Sequence, residues 1–84
     1  MAYRIIIKPA AQRDLDSLPV REVKRVAERI EVLADNPRPF GVQKLSGEES
    51  YRIRSGNYRI LFEINDKGKL LLVYRIKHRK DVYR

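Results

Sequence analysis

The chain has 84 residues, of which 43% are hydrophobic and 36% are charged, and its net charge is +8. This length predicts a single domain over residues 1–84. The composition excludes a disordered tail, and no apolar run approaches the roughly 20 residues that span a bilayer. With no cysteine and one histidine, a disulfide framework and a zinc site of Cys and His side chains are excluded too. We expect a cytoplasmic protein without a cofactor or a membrane partner.

The positive charge is concentrated in the second half of the chain. Residues 1–42 hold eight basic and six acidic residues, whereas residues 43–84 hold eleven basic and five acidic ones. A basic surface on one structural unit indicates a polyanionic partner, and nucleic acid fits best. The alternative is a basic surface that only contacts solvent.

The first half of the chain predicts one strand and two helices. Residues 3–8 are β-branched and almost continuously apolar, which predicts a strand that is covered on both sides or central in its sheet. Pro9 ends this strand and begins a short helix that extends to Pro19. Apolar residues at steps of three or four from Val20 to Ala34 predict a longer amphipathic helix. Residues 40–49 are expected to form a polar connection.

Residues 51–62 predict a β-hairpin around which the second half is built. Apolar and charged residues alternate on both sides of Gly56-Asn57, a two-residue turn in which glycine supplies a positive φ. The turn sets the register. The predicted pairs are Ser55 with Tyr58, Arg54 with Arg59, Ile53 with Ile60 and Arg52 with Leu61.

A further strand over residues 70–77 extends the hairpin to a meander. If the connecting loop closes with Ile64 opposite Leu70, the following pairs are Phe62 with Leu72, Ile60 with Tyr74 and Arg59 with Arg75. This register predicts an exposed row of Arg54, Arg59 and Arg75, and it places Tyr51, Tyr58 and Tyr74 on the apolar face. The fold class is therefore α+β, a strand-helix-helix unit and a three-stranded antiparallel meander, with both helices packed on one face of the sheet.

Opposed arginines on neighbouring strands favour a phosphate-binding face, because like charges across a ladder are destabilising unless an anion lies over them. The sequence offers no hydrolase triad and no glycine-rich phosphate loop. RNA cleavage by its own 2′-hydroxyl needs neither, since the protein has only to align the substrate, stabilise charge on the phosphate and assist proton transfer. Arginines suit the charge. The residues that could transfer a proton are His78, Tyr83 and Lys77.

The whole chain resembles the RelE toxin family of the RelE/ParE superfamily. The resemblance lies in the Ile-Ile-Ile-Lys-Pro-Ala-Ala segment, Asn-Pro-Arg-Pro after the second helix, Lys-Leu-Ser-Gly at 44–47, the hairpin of 51–62 and the last seven residues. It implies an mRNA endonuclease that enters the ribosomal A site and cleaves by 2′-hydroxyl attack. It also implies a cognate antitoxin, through which alone the toxin would bind operator DNA.

The same resemblance implies roles for individual residues. Arg52 and Arg54 match the family's basic pair, Arg59 its transition-state arginine and Tyr83 its C-terminal catalytic tyrosine. The further basic and imidazole positions expected at the site are Lys77 and His78 for catalysis, and Arg75 and Arg79 for phosphate binding. Arginines at positions 52 and 54 are poor bases, and related toxins use a histidine near the C-terminus, which makes His78 the better candidate for the base. The proton-transfer role is left open between His78 and Tyr83. Two other functions stay open: a ParE-like inhibitor of DNA gyrase, and a non-catalytic nucleic-acid-binding module.

Overall fold

The computed structural model describes residues 2–45 and 50–82. The elements in chain order are β1 (Arg4–Ile7), α1 (Pro9–Asp16), α2 (Val20–Asp35), β2 (Gln43–Lys44), β3 (Ser50–Ser55), β4 (Tyr58–Asn65), β5 (Leu70–His78) and α3 (Arg79–Val82). Over these residues, five strands form one mixed sheet in the order β1-β5-β4-β3-β2. The predicted α+β class, with α1 and α2 packed on the sheet, is confirmed. Among the described helices none is both long and apolar enough to span a membrane.

The core lies between the two long helices and the apolar face of the sheet. Helix α1 contributes Ala11 and Leu15. From its predicted apolar face, α2 contributes Val26, Ile30 and Leu33. The buried apolar residues are Ala11, Leu15, Val26, Ile30, Leu33, Tyr51, Ile53, Ile60, Phe62, Ile64, Leu71, Val73 and Ile76. Tyr51 stacks on Phe62 with 5.9 Å between ring centroids. The burial of Tyr51 and the packing of Tyr58 against this core agree with the prediction.

Strand β1 is an edge strand, so the prediction that it is central or covered on both sides is wrong. Among the described strands it pairs only with β5, in parallel, through residues 4–7 and 70–73. Ile5 and Ile7 pack against the core, whereas Ile6 on the other face is 37% exposed. An apolar run is compatible with a half-exposed edge, because folded surfaces retain many apolar side chains.

The β3–β4 hairpin has the predicted register at every pair from Arg52–Leu61 to Ser55–Tyr58. Gly56 has a φ of +61°, and the φ of Asn57 is not positive. A positive φ at the first central position is typical of a type II′ turn, which matches the twist of the flanking strands. The turn therefore establishes which side chains share a face.

The β4–β5 register differs from the prediction. Ile64 pairs with Leu71 rather than Leu70, and an irregularity at Leu61/Phe62 shifts the ladder by one more residue. The first shift makes Leu71 and Val73 core residues. The bulge leaves Tyr74 without a partner in the ladder. Tyr74 lies on the face away from the helices, where its hydroxyl is 2.6 Å from Ser50 Oγ, so its predicted place in the core is wrong.

Candidate functional site: a row of cations across three strands

Three cations lie in register on the three central strands of the sheet, close to the β3–β4 hairpin turn. Arg54 of β3 pairs with Arg59 of β4, and Arg59 pairs with Lys77 of β5. Directly opposed residues share a face of the sheet, with Cβ atoms about 4.5–5.5 Å apart. The predicted row of three cations therefore exists, but Lys77 and not Arg75 is its third member.

Arg59 is the central and most buried member of this row. Its relative exposure is 6%, so the prediction that it lies on an exposed face is wrong. Its Nη1 donates one long hydrogen bond of 3.5 Å to the carbonyl oxygen of Tyr58. Within residues 2–45 and 50–82, no carboxylate forms an ion pair with Arg54, Arg59 or Lys77. A buried guanidinium between two like charges is unfavourable unless a bound anion compensates it.

A cavity of about 310 Å³ opens at this row. Its lining residues are Gly41, Gln43, Arg52, Ile53, Arg54 and Arg59. Arg52 is oriented by β2, because its Nε donates a 2.8 Å hydrogen bond to Oε1 of Gln43. The guanidinium groups present planar hydrogen-bond donors, which suit phosphate oxygens. The cavity thus has the charge and the donors to hold a phosphodiester.

Arg75 lies outside the row, which corrects its predicted position in the ladder. It pairs with Leu61 at the bulge, and its Nε donates a 2.7 Å hydrogen bond to Asp14 Oδ2 on α1. The same carboxylate oxygen accepts a 2.9 Å bond from the backbone N–H of Ile76. Partial burial raises the pKa of Asp14, but the bonds from Arg75 and Ile76 outweigh it and hold that pKa below its ordinary value. The charge of Arg75 is therefore already paired.

His78 lines a different cavity, of about 540 Å³, together with Asp14, Tyr58 and Arg75. Tyr58 and His78 are a cross-strand pair, and their rings meet edge to face at 5.3 Å. Side chains alternate along a strand, so this pair lies on the face opposite to Arg59 and Lys77. The structure does not bring His78 into the arginine cavity. Lys77 lines the His78 cavity as well, at the end of β5 that β1 leaves unpaired.

The remaining predicted residues lie at the C-terminal end. Arg79 is exposed at the start of α3, where its backbone N–H donates a 2.8 Å bond to the carbonyl oxygen of Asn57 in the hairpin turn. This bond joins the end of β5 to the hairpin. Tyr83 lies outside the described residues.

Gly41 and Gln43 line the arginine cavity but were not predicted as site residues. Both lie in the segment interpreted as a polar connection, where Gln43 and Lys44 form the two-residue strand β2. Two residues are too few to show the alternation that identifies a strand. One signal could have indicated Gln43. It shortly precedes β3, and the edge of β3 away from β4 is open for a short strand such as β2.

Comparison with known proteins identifies the family. The family model described as the ParE toxin of the type II toxin–antitoxin system parDE matches residues 5–83. The toxin RelG of Mycobacterium tuberculosis is 33% identical over 100% of this chain and 99% of its own length. The chain belongs to the RelE family of toxins of type II toxin–antitoxin systems.

Further relatives of this RelE-family toxin agree in sequence and in fold. The toxin RelE3 of Methanocaldococcus jannaschii is 32% identical, over 95% of this chain and 94% of its own. The crystal structure of the archaeal RelE–RelB complex from Pyrococcus horikoshii is similar with a TM-score of 0.84 and 34% identity, over 94% of this chain and 97% of that one. The RelBE2 toxin–antitoxin complex of M. tuberculosis gives a TM-score of 0.83 and 29% identity, over 94% and 100%. The similarity spans almost the full length of each.

Proposed function

We propose that this RelE-family toxin is a ribosome-dependent endoribonuclease that cleaves mRNA in the A site and so inhibits translation. The observation that supports this most is the buried Arg59, which forms no ion pair within the described residues, in a row with Arg54 and Lys77 and beside a cavity that can accept a phosphodiester. In the proposed reaction, the RNA's 2′-hydroxyl attacks the adjacent phosphorus and the 5′-oxygen leaves. The products are a 2′,3′-cyclic phosphate end and a 5′-hydroxyl end.

The proposed roles follow from the position of each cation. Arg52 and Arg54 bind the substrate phosphates, because they line the more open parts of the cavity. Arg59 stabilises the charge that develops on the phosphate oxygens in the transition state, since its buried guanidinium is already in place and needs little reorganisation. Lys77 is a proton donor or a further charge at the leaving oxygen. Arg79 is a peripheral phosphate contact.

For proton abstraction we favour Tyr83 over His78. The Nδ1 atom of His78 accepts a 3.2 Å hydrogen bond from the backbone N–H of Lys80. In a neutral imidazole whose Nδ1 accepts a hydrogen bond, the proton is on Nε2. The Nε2 atom can then donate a hydrogen bond but cannot act as a base. His78 also lies on the other face from Arg59. The assignment of Tyr83 rests on the family resemblance. We expect Tyr83→Phe to lose most cleavage activity and His78→Ala to keep most of it.

The decisive experiment is to map the 3′ ends of cellular mRNA after brief induction of the toxin without its antitoxin. We expect cuts within codons that occupy the A site, and cyclic phosphate at the new ends. Arg59→Ala should reduce cutting by about two orders of magnitude or more, because it removes a transition-state contact. Lys24→Ala, an exposed cation on α2, serves as the control and should cut normally.

A second candidate function is inhibition of DNA gyrase, favoured by the match to the ParE family model over residues 5–83. Intact mRNA together with inhibited DNA supercoiling after induction would support this candidate and contradict the nuclease.

We also infer that a cognate antitoxin neutralises this chain in the cytoplasm. The inference is supported by the solved relatives, which are RelE–RelB and RelBE2 complexes. Contact with operator DNA would come through the antitoxin. Co-expression with the neighbouring gene's product should restore growth and yield a stable complex on purification.

A further inference from the structure

We propose that Phe40 is a stacking platform for an RNA base next to the arginine cavity, an inference that rests on the proposed function. Phe40 is the most exposed large hydrophobic residue among those described, at 102% of its reference area. Single exposed apolar residues are common on protein surfaces, so its exposure alone decides nothing. Two further observations indicate a function for the exposed ring. Phe40 is adjacent in sequence to a residue of the arginine cavity, and its loop is held by hydrogen bonds.

Phe40 is adjacent in sequence to a residue of the arginine cavity. It directly precedes Gly41, which lines that cavity together with Arg52, Arg54 and Arg59. Gly41 has a φ of +94°, a conformation that favours glycine, and apart from its two chain neighbours no described atom lies within 4 Å of where a Cβ would be. The surface around Gly41 is therefore open. A nucleotide whose phosphate binds the arginines has room for its base at this position.

The loop that presents Phe40 is anchored on both sides of the ring. Before it, the guanidinium of Arg38 donates to both carboxylate oxygens of Asp66, at 3.2 and 3.1 Å, and to the Tyr51 hydroxyl. After it, Gln43 of β2 pairs with Arg52 of β3. The turn around the ring is closed by a 3.1 Å bond from the backbone N–H of Val42 to the carbonyl oxygen of Pro39. A ring on an anchored loop loses little conformational entropy when it binds. The Phe40 ring is therefore held in solvent, where a flat partner can stack on it.

An RNA base fits this position better than a protein surface. Proteins that bind single strands combine a cationic groove for the backbone with aromatic rings on which the bases stack. Here the cavity beside the ring is lined by three arginines, and Gln43 orients one of them. An apolar protein segment over Phe40 would leave these charges without an anion. The antitoxin is therefore the alternative occupant that the experiment must test.

The chain has no tryptophan, so a tryptophan introduced at position 40 is a unique fluorescent probe. We would titrate Phe40→Trp with a 2′-O-methyl RNA hexamer, in which the attacking hydroxyl is blocked, and follow binding independently by anisotropy of labelled RNA. Val20→Trp is the matched control, because Val20 is 88% exposed on α2. We expect strong quenching at position 40 and little at position 20. Equal quenching at the two positions, or no binding of this RNA by the wild-type chain, overturns the inference.

Truncation of the ring gives a second readout. Phe40→Ala should weaken RNA binding by about 5- to 150-fold, which corresponds to about 1–3 kcal/mol for one stacked base. Phe40→Tyr should retain the wild-type affinity, as should Val20→Ala. If Phe40→Ala binds and cleaves RNA normally but escapes neutralisation by the antitoxin, Phe40 contacts the antitoxin and the inference is wrong.

Failure of the inference can be distinguished from failure of the proposed function. If mRNA stays intact in cells while RNA quenches the tryptophan at position 40, the nuclease proposal fails and the stacking platform stands. If mRNA is cut in the A site while Phe40→Ala cuts at the wild-type rate and position 40 shows no quenching, only the platform fails.

Discussion

Arg59 and Arg75 show how differently two arginines of one sheet are used. Arg75 donates two hydrogen bonds to the Asp14 carboxylate, at 2.7 and 3.2 Å. Arg59 is 6% exposed, lies between two cations, and makes one hydrogen bond of 3.5 Å. The first arrangement stabilises the fold, whereas the second reduces stability. Unfavourable placement of a charged group is typical of functional sites.

Replacing each arginine by methionine should therefore change stability in opposite directions. Arg59→Met removes a buried, poorly compensated charge and keeps the volume, so we expect the free energy of unfolding to rise by about 1 kcal/mol. Arg75→Met leaves Asp14 without its guanidinium partner and should lower it by about 1 kcal/mol, a value discounted because the Arg75 side chain is 42% exposed. Urea denaturation at pH 7 measures both. A similar loss in the two variants would show that Arg59 has a stabilising native partner.

At the scale of elements, Asp14 attaches helix α1 to the bulged part of β5. Its carboxylate accepts bonds from the side chain of Arg75 and from the backbone of Ile76, the residues that follow the extra residue Tyr74. Among the described strands, β1 pairs with β5 only as far as Val73, so the outer backbone groups of β5 beyond Val73 need other partners. Asp14 supplies one such partner and holds the end of β5 against α1.

This attachment should depend on pH. Because the folded-state pKa of Asp14 is depressed, its contribution is complete above the unfolded-state pKa of about 3.9 and is lost as pH falls through the folded-state value. Asp14→Asn should therefore be less stable than the wild type at pH 7, and the difference should shrink below pH 4. Urea denaturation across this range measures it, with Asp35→Asn at the exposed end of α2 as the control. A difference that is constant with pH would show that the carboxylate's charge is not involved.

The hairpin turn is the second element on which the site depends, because it sets the register of Arg54 and Arg59. Gly56 has a φ of +61°, and a Cβ there would lie 3.4 Å from side-chain atoms of both Glu22 and Arg25 on α2. We expect Gly56→Ala to lower the free energy of unfolding by about 1 kcal/mol or more. Gly68→Ala, where no positive φ is required, should change it by less than about 0.5 kcal/mol. Equal effects by chemical denaturation would argue against a conformational requirement at Gly56.

For the whole molecule, the distribution of charge separates a structural side from a binding side. The helices cover the apolar face of the sheet, while the paired cations lie on the opposite face. The net charge of +8 favours association with any polyanion, but only the cations at the cavity are expected to release counterions on specific binding. The salt dependence of binding is a direct measure of which surface is used.

Binding of uncleavable 2′-O-methyl RNA should weaken as salt rises. For a single strand, each phosphate contact contributes about 0.7 to the slope of log K against log salt concentration. Arg54→Ala should therefore reduce the magnitude of the slope by about 0.7, whereas Lys24→Ala on the exposed side of α2 should leave it unchanged. Fluorescence anisotropy at several salt concentrations gives the slopes. An equal change in both variants would indicate diffuse binding over the whole surface.

The sequence by itself determined the helices and the hairpin, because both follow from local rules. The apolar spacing from Val20 onwards is that of one helix face, and a two-residue turn at Gly56-Asn57 permits one register. The opposed pair Arg54 and Arg59 was therefore predictable, and so was a basic face. The site residues Arg52 and Gln43 could be paired only once β2 was seen, since a two-residue strand has no period.

Only the tertiary structure decided the register of β5 and the face that each of residues 70–74 occupies. Residues 70–73 read Leu-Leu-Leu-Val, so either face could be the buried one and alternation could not choose between them. The loop length places Leu71 and Val73 in the core, and the bulge at Tyr74 then shifts the ladder again. Together the two shifts displace the pairing by two residues, so Lys77 takes the place opposite Arg59 that Arg75 was predicted to hold, while Arg75 pairs with Leu61 and contacts Asp14. A one-residue shift inverts the two faces of a strand, as it does for residues 70–73, and the bulge at Tyr74 restores the predicted faces from Arg75 onwards. No local pattern shows either shift, because both depend on pairing between separate strands.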